Sequence, residues 1–278
     1  MTALPTFTAT RYVQPLREGG TLPAVVETHG GGLFVAKFRG AGQGAKALVA
    51  ELLVGMIAEA LRLPVPGLAL IELLPDFGQT EPDPEIQDLL RASVGVNVGL
   101  RYLDGAFNFQ PASAGDLVSP ELAARIVWLD AFTTNPDRTA RNPNLLIHDR
   151  RPWLIDHGAA LYAQHNWPAV DEARTRTPFP LIRDHVLLRT GGDLRGADEE
   201  LAARLSDGVL EEIVARLPDA LLADPAIAAD FATPRAARER YLDYLRTRIR
   251  APRDFVDAAV AARETAAGAP PRRLHSRR

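Results

Sequence analysis

Apolar residues recur along the first hundred positions with the spacing of strands and of one helix. Short apolar runs bounded by turn residues predict five strands. They cover residues 11–16, 24–28, 33–38, 68–74 and 92–103. Residues 45–61 carry apolar side chains at intervals of three and four, the period of an amphipathic helix, and Pro64 and Pro66 end this pattern. We therefore predict a sheet with one helix here.

The apolar pattern changes in the second half of the chain. Two short apolar runs at 145–147 and 153–155 flank the turn residues 149–152, which predicts a β-hairpin. Beyond residue 181 the spacing is mostly helical. The clearest helical stretches are residues 198–205, 208–217, 234–249 and 254–266. Together with the first hundred residues, this predicts an α+β protein whose C-terminal part is mostly helical.

A lysine interrupts the apolar run 33–38, and a charged side chain in such a strand needs a partner. Lys37 and Lys46 are the only lysines among 32 basic residues, which indicates a role that arginine cannot fill, such as a compact charge against phosphate oxygens. Glu51 and Glu59 share one face of the predicted helix. We favour Glu51 as the partner because it is nearer the preceding strand, and expect Glu59 and Lys46 to be solvated.

Polar residues bracket the predicted hairpin. A loop at 135–138 contains Asp137, Asn142 follows it, and the second apolar run leads directly into Asp156. The hairpin would bring Asn142 and Asp156 together at its open end. Phosphoryl transfer needs a group that positions the attacking hydroxyl and oxygen ligands that hold magnesium against the phosphates. We therefore predict Asp137 as the positioning group and Asn142 and Asp156 as magnesium ligands.

Composition narrows the possible classes of protein. The chain has 278 residues, of which 46% are hydrophobic and 24% charged, as in an ordinary globular protein. The absence of cysteine excludes disulfides and thiolate nucleophiles. A net charge of -3 supplies no overall attraction to nucleic acid. With no secretory signal pattern and no unbroken apolar span, we expect a cytoplasmic protein that binds neither membrane nor nucleic acid.

These residues, in this order, make the chain resemble the HipA-like kinases, especially their short bacterial branch, and more distantly the phosphoinositide kinases. The resemblance rests on residues 19–23, 35–38, 50–51, 63–66, 135–138, 141–142 and 155–158. It implies a bilobal protein-kinase-like fold with an N-lobe antiparallel sheet and one helix, and a mostly helical C-lobe. The implied bounds are residues 1–103 and 104–268 for the lobes, with a basic tail at 269–278 that we expect to be disordered.

The resemblance also implies ATP and Mg²⁺ as cofactors and assigns residues to them. Lys37 would hold the nucleotide phosphates with Glu51 as its anchor. The residues expected to contact the nucleotide are Gly19, Gly20, Thr21, Lys37, Tyr102 and Leu103. Asp137 would act on the attacking hydroxyl, while Asn142 and Asp156 would bind magnesium. Some family members autophosphorylate a serine in the phosphate loop, and Thr21 occupies that region here.

Several functions are compatible with this set of residues. The preferred interpretation is an ATP- and Mg²⁺-dependent phosphotransferase of HipA-like type acting on Ser or Thr of a protein. A small-molecule phosphotransferase would differ only in its acceptor groove, with an antibiotic, sugar or lipid head group as acceptor. A nucleotide-binding pseudokinase would lack a catalytic group. A metal-dependent hydrolase using Asp137 and Asp156 would leave Lys37 without a role.

Overall fold

Five strands in the first part of the chain close into a barrel. The structure is a computed structural model that describes residues 3–16, 22–79 and 81–268. The barrel strands are β1 (Thr6–Pro15), β2 (Ala24–Thr28), β3 (Gly32–Lys37), β4 (Leu68–Leu73) and β5 (Gly95–Arg101). Their order is β1-β2-β3-β5-β4, and β4 returns to pair with β1. The predicted Gly19, Gly20 and Thr21, like the tail from 269 to 278, lie outside the described residues.

The barrel corrects the prediction of an antiparallel sheet with one helix. Four strand pairs are antiparallel, but β1 and β4 run parallel from Thr6 beside Leu70 to Thr8 beside Glu72. Strand β1 begins five residues before the predicted apolar run because its first residues alternate with threonine and carry little apolar signal. These residues make the closing pair. A second helix, α2 (Pro84–Ala92), also lies between β4 and β5.

The helix predicted between β3 and β4 is present, and further elements follow β5 in chain order. Helix α1 spans Gly44–Ala60. After β5 come β6 (Phe107–Asn108), α3 (Pro111–Ala114), α4 (Pro120–Phe132), β7 (Leu145–His148) and β8 (Arg151–Leu154). Strands β7 and β8 form the predicted hairpin, and β6 pairs with β7 to make a three-stranded sheet. The hairpin turn uses left-handed backbone at Asp149 and Arg150, as tight hairpin turns require.

From residue 172 onward the described chain is mostly helical, as the apolar spacing predicted beyond residue 181. Its helices are α5 (Glu172–Thr175), α6 (Leu194–Arg204), α7 (Asp207–Ala215), α8 (Asp219–Leu222), α9 (Pro225–Ala228), α10 (Pro234–Ile249) and α11 (Asp254–Gly268). The predicted bounds are confirmed for α10 and nearly so for α6, α7 and α11. The one-turn helices α8 and α9 are too short for a periodic signal and were not predicted. No helix among the described residues is long and apolar enough to cross a bilayer.

Helix α1 lies at the centre of the molecule. Thirteen of its 17 residues are buried, so it is not the amphipathic helix that its spacing predicted. It contacts β4 and β5 of the barrel, while α7, α8 and α9 also pack against it. One continuous apolar core therefore runs from α1 through α4 and the hairpin to α10 and α11, and a smaller core fills the barrel. A side chain on α1 consequently has little freedom to move.

Candidate active site

Lys37, at the end of β3, makes two short ion pairs. Its Nζ lies 2.6 Å from Glu51 Oε2 and 2.6 Å from Asp156 Oδ1. Glu51 Oε2 also accepts a hydrogen bond from the backbone N–H of His157 at 2.7 Å. The contact predicted between Lys37 and Glu51 is therefore present, and a residue 119 positions away in sequence joins it. A strand, a buried helix and the loop after β8 meet at this point.

Lys37 and Asp156 stabilise each other's charged form. Burial lowers the pKa of Lys37, but the carboxylates of Glu51 and Asp156 outweigh burial and leave that pKa raised. For Asp156, burial raises the pKa, but Lys37 outweighs it and leaves the pKa lowered. Both groups are therefore charged at neutral pH. Lys37 is 12% exposed and Asp156 42%, so a ligand can reach the carboxylate from the cleft.

The other lysine and the other helix glutamate make separate contacts. Lys46 Nζ lies 2.8 Å from Asp230 Oδ2 with only 14% of its side chain exposed, so the prediction that Lys46 is solvated was wrong. The cause is the segment after α9, which was not predicted to fold against α1. Glu59 is exposed, as predicted, and lies 3.9 Å from Arg216. Of the two glutamates considered on the predicted helix, Glu51 is therefore the one that pairs with Lys37.

The open end of the hairpin carries the predicted magnesium ligands. The Ile155 N–H donates to the Asn144 carbonyl at 3.1 Å, which closes the hairpin just before Asp156. Asn142 lies two residues before Asn144, and its approach to Asp156 stays a prediction. Asp156 has φ of 56°, a left-handed conformation that is uncommon outside glycine and concentrates at functional sites. Asp156 thus combines this uncommon backbone conformation with its ion pair to Lys37.

Asp137 is held by two amide side chains. Its Oδ2 accepts hydrogen bonds from Asn142 Nδ2 at 2.8 Å and from Asn144 Nδ2 at 3.1 Å. Its backbone N–H donates to Asn135 Oδ1 at 3.1 Å. These bonds fix one carboxylate oxygen of Asp137 and leave the other, Oδ1, as the atom that would face a substrate hydroxyl. The hydrogen bond from Asn142 to Asp137 joins two residues that the sequence predicted to belong to the site.

A cleft lies between the end of β3, the start of α1 and the loop after β8. Its walls include Lys37, Phe38, Gln43, Gly44, Ala47, Asp156 and Gly158. The cleft therefore opens directly onto the Lys37–Asp156 pair. The loop between β3 and α1, which supplies part of this wall, was not among the predicted site residues.

The structure places Tyr102 and Leu103 directly after β5. The Tyr102 N–H donates to the Leu33 carbonyl at 3.1 Å, and the Leu103 carbonyl accepts from the Ala106 N–H at 3.1 Å. These two backbone groups are thus already engaged. The Tyr102 carbonyl and the Leu103 N–H are the groups that could pair with an adenine edge. A role of both residues in nucleotide binding stays a prediction.

The ligand atoms offered at the hairpin fit Mg²⁺. Asn142 and Asp156 supply hard oxygen donors, and Asn142 uses its Nδ2 toward Asp137, which leaves its Oδ1 for a cation. No cluster of three or more His, Asp or Glu able to hold a metal occurs among the described residues. Mg²⁺ does not need one, because proteins usually hold it with one or two side-chain ligands plus substrate phosphates and water.

The sequence missed two residues that build the site. Asp130, on α4, is fully buried and binds the loop that contains Asp137. Asn144 donates to Asp137. A signal for Asp130 was available, because a carboxylate inside the apolar run 126–132 is as conspicuous as Lys37 in its strand. Asn144 gave no comparable signal, since an Asn in a turn-rich loop is ordinary.

The site combines an ion-paired lysine and glutamate on the barrel side with Asp, Asn and Asp around a hairpin. With this fold, it defines a kinase-type phosphotransferase. The family model for HipA-like kinases matches residues 10–172, more than half of the chain, and the chain belongs to that family. No curated protein matches it in sequence.

A solved structure shares the overall fold. The crystal structure of a Helicobacter pylori proinflammatory kinase, CtkA, is similar with a TM-score of 0.50 and 13% sequence identity. The similarity covers 94% of this chain and 99% of that chain. At this identity the similarity concerns the fold alone, and it supports the predicted kinase-like fold over nearly the whole length.

Proposed function

We propose that this protein is an ATP- and Mg²⁺-dependent kinase that phosphorylates Ser or Thr of a protein in the cytoplasm. One observation carries the proposal: Lys37 Nζ lies 2.6 Å from both Glu51 and Asp156. A lysine fixed by a glutamate and placed beside a metal-binding aspartate is the arrangement that phosphoryl transfer from ATP requires. The choice of Ser or Thr as acceptor rests on the family resemblance.

Lys37 and Glu51 act at the phosphate end of the nucleotide. The ammonium group of Lys37 would bind phosphate oxygens, and Glu51 would hold that group in place through its 2.6 Å ion pair. Glu51 is itself held by the His157 N–H and by its burial in α1. Lys37 therefore meets the phosphates in a fixed position, with little reorganisation on binding.

Asn142 and Asp156 would hold Mg²⁺, which when bound neutralises charge on the phosphates. Asp137 would accept a hydrogen bond from the substrate hydroxyl through Oδ1 while Asn142 and Asn144 hold Oδ2. The hydroxyl oxygen forms a bond to the γ-phosphorus as the bond from that phosphorus to the β–γ bridging oxygen breaks. ADP leaves, and Asp137 receives the hydroxyl proton.

Nucleotide binding is the first test. In a thermal-shift assay, the melting temperature should rise when ATP is added and rise further when ATP and MgCl₂ are added together. ATP turnover should fall about a hundredfold or more in Asp137→Asn and Asp156→Asn, since each removes a group that acts on the reacting atoms. Asp149→Asn is the matched control, because Asp149 lies at the exposed hairpin turn and Asn tolerates its left-handed backbone.

Two outcomes would contradict the proposal. An absence of any thermal shift would end the kinase interpretation, and ATP binding without turnover in any variant would indicate a pseudokinase.

The acceptor is tested with radiolabelled ATP and two probes, myelin basic protein and kanamycin. Label on Ser or Thr of the protein is expected, and label on kanamycin alone would indicate a small-molecule phosphotransferase.

We also propose that Thr21 is a site of autophosphorylation, by analogy with the phosphate loop of the family. Thr21 lies outside the described residues, so the proposal rests on its sequence position. Intact-mass analysis after incubation with Mg-ATP should show one added phosphate that Thr21→Ala removes. An added phosphate that persists in Thr21→Ala would place the modified residue elsewhere, and the absence of any added phosphate would reject autophosphorylation.

A further inference from the structure

Four buried polar residues form a connected cluster behind the candidate site. Asp130, Arg138, His157 and His185 are each no more than 7% exposed. They come from α4, the loop that contains Asp137, the loop after β8 and the segment after residue 184. We call this set the buried brace. None of their side chains was given a role in the phosphoryl transfer described above, where only the backbone N–H of His157 takes part, by holding Glu51.

Asp130 is the hub of the buried brace. Its Oδ2 lies 2.6 Å from Arg138 Nε and 2.9 Å from His185 Nε2, and its Oδ1 accepts from Asn135 Nδ2 at 3.0 Å. The Leu187 N–H donates to His185 Nδ1, so the ring proton is on Nε2 and points at Asp130. Burial raises the pKa of Asp130, but Arg138 and His185 outweigh it and hold that pKa well below its usual range.

Arg138 connects this hub to both loops of the site. Its Nη1 donates to the Asn144 carbonyl and, at 3.4 Å, to the Ile155 carbonyl. Its Nη2 lies 3.3 Å from His157 Nδ1. One guanidinium therefore spans the open end of the hairpin, with the carbonyl contacts next to the segments that carry Asn142 and Asp156.

Arg138 also fixes the loop to which it belongs. Its own carbonyl accepts from the Val186 N–H at 3.0 Å, and Thr139 forms an antiparallel bridge with His185. Asn135, which donates to Asp130, accepts the N–H of Asp137. The buried brace thus holds the backbone on both sides of Asp137 and, through the same guanidinium, the two ends of the hairpin.

Stability alone does not explain such a group. A buried ion pair loses the hydration of both charges, and well-packed neutral residues of similar volume are often as stable. Arginine supplies something that neutral residues lack, namely donors in a rigid fork that reach several acceptors at once. Here those acceptors belong to three different segments of the site.

We propose that Arg138, oriented by Asp130, is a positioning residue that fixes the distance between Asp137 and the magnesium ligands Asn142 and Asp156. This inference rests on the proposed function, because it assigns a task to the same site. Residues that orient metal ligands typically change metal affinity or activity by about 10- to 100-fold when replaced. The effect should appear in metal dependence and leave the Lys37–Glu51 contact unchanged.

The test uses a double variant that removes both buried charges together. Asp130→Asn with Arg138→Met avoids leaving one charge unpaired, so the full chain should stay folded by circular dichroism. Calorimetry then gives the affinity for ATP without metal and the MgCl₂ concentration that half-saturates its enhancement. We expect metal-free ATP affinity within about twofold of wild type and a requirement for about tenfold more MgCl₂.

Matched controls make the outcome decisive. Asp198→Asn with Arg253→Met removes a bidentate ion pair between α6 and the residue just before α11. It should leave the MgCl₂ requirement unchanged, because among the described hydrogen bonds neither side chain contacts a member of the buried brace. A wild-type MgCl₂ requirement in the Asp130/Arg138 double variant would overturn the proposal. If that variant does not fold, Arg138→Lys decides by the same criterion, because it keeps the charge and loses the fork.

The same measurements separate this inference from the proposed function. A wild-type protein whose ATP affinity does not respond to MgCl₂ would contradict the proposed function itself. A responsive wild type with an equally responsive double variant would contradict only the role of Arg138. A folded variant with the same metal-free ATP affinity and a raised MgCl₂ requirement supports both.

Discussion

The two lysines show how one residue type acquires two different tasks. Lys37 faces two carboxylates in the cleft, whereas Lys46 makes a single ion pair with Asp230 that connects α1 to the segment after α9. Rarity in the sequence pointed to both residues equally. Only the contacts distinguish a group that meets a ligand from one that holds two elements together.

Replacement by arginine should preserve ATP turnover at only one of the two lysine positions. In Lys37→Arg the larger planar group does not fit the two 2.6 Å contacts, so we expect ATP turnover to fall about a hundredfold. In Lys46→Arg the ion pair with Asp230 is kept, so turnover should stay near wild type. Steady-state assays of both variants check this, and equal losses would contradict the separate tasks.

Two buried histidines make stability depend on pH. Burial, with a contribution from Arg138, lowers the pKa of His157 to about 3, and burial also lowers the pKa of His185 even though Asp130 acts to raise it. The folded protein therefore keeps both rings neutral. The unfolded chain takes up protons on these rings below their ordinary pKa of 6.5. This difference in proton uptake between the folded and unfolded chain favours unfolding in acid.

The free energy of unfolding should consequently fall as the pH drops below about 6.5. Each neutral buried ring contributes a loss of about 1.4 kcal/mol per pH unit between that value and its folded pKa. Urea unfolding at pH 7.5, 6.5 and 5.5 measures the slope. His29→Asn changes an exposed turn residue and should leave the slope unchanged. A flat profile for wild type would contradict this account, because it would mean that the two rings take up protons in the folded protein as they do in the unfolded chain.

At the scale of elements, α1 is held from two sides. The barrel packs on one side, and the helices after Arg204 supply ion pairs on the other. Asp230 binds Lys46 at the start of α1, and Asp224 binds Arg39 just after β3 at 2.7 Å. Because Glu51 lies on α1, these contacts also fix the partner of Lys37. The fold therefore holds Glu51 in place beside Lys37.

Removal of both carboxylates should loosen α1. Asp224→Asn with Asp230→Asn leaves Arg39 and Lys46 poorly paired in a partly buried place, and we expect a loss of about 2 kcal/mol in unfolding free energy. Hydrogen exchange at residues 44–50 should become faster. The exposed pair of Asp88 and Arg91 supplies the control, since Asp88→Asn should change neither measurement. Unchanged exchange in the double variant would contradict the role of these ion pairs.

At the scale of the whole molecule, the family match ends before the helices that bury α1. The matched residues 10–172 include every predicted site residue that the structure describes, but α7, α8 and α9 come later in the chain. These helices complete the continuous core around α1. The candidate site residues thus depend on elements far beyond the matched region.

A chain ending at residue 172 should therefore not fold. It would expose the apolar face of α1 that α7 to α9 cover, and such a patch favours aggregation. We expect strong binding of an apolar dye and no cooperative urea transition. A chain ending at residue 268 keeps all described helices and is the control, with a transition like that of the full chain. A cooperative transition in the shorter chain would contradict this account.

Much of the fold was predictable because its signals are local. The hairpin around Asp149, the strand with Lys37 and the long helices after residue 190 each follow from apolar spacing over a few residues. The closing β1–β4 pair and the one-turn helices α8 and α9 were not predictable in the same way. Parallel pairing joins strands about 60 residues apart, and a four-residue helix has no period to detect.

The sequence by itself determined the identities and order of the groups at the site: Lys37, Glu51, Asp137, Asn142 and Asp156. That information is local, because each residue stands out against its immediate neighbours. The tertiary structure decided which charges meet, since the pairs of Lys37 with Asp156 and of Lys46 with Asp230 span 119 and 184 positions. It also brought Asp130 against the loop that contains Asp137, because a buried carboxylate is stable only where the fold supplies its donors.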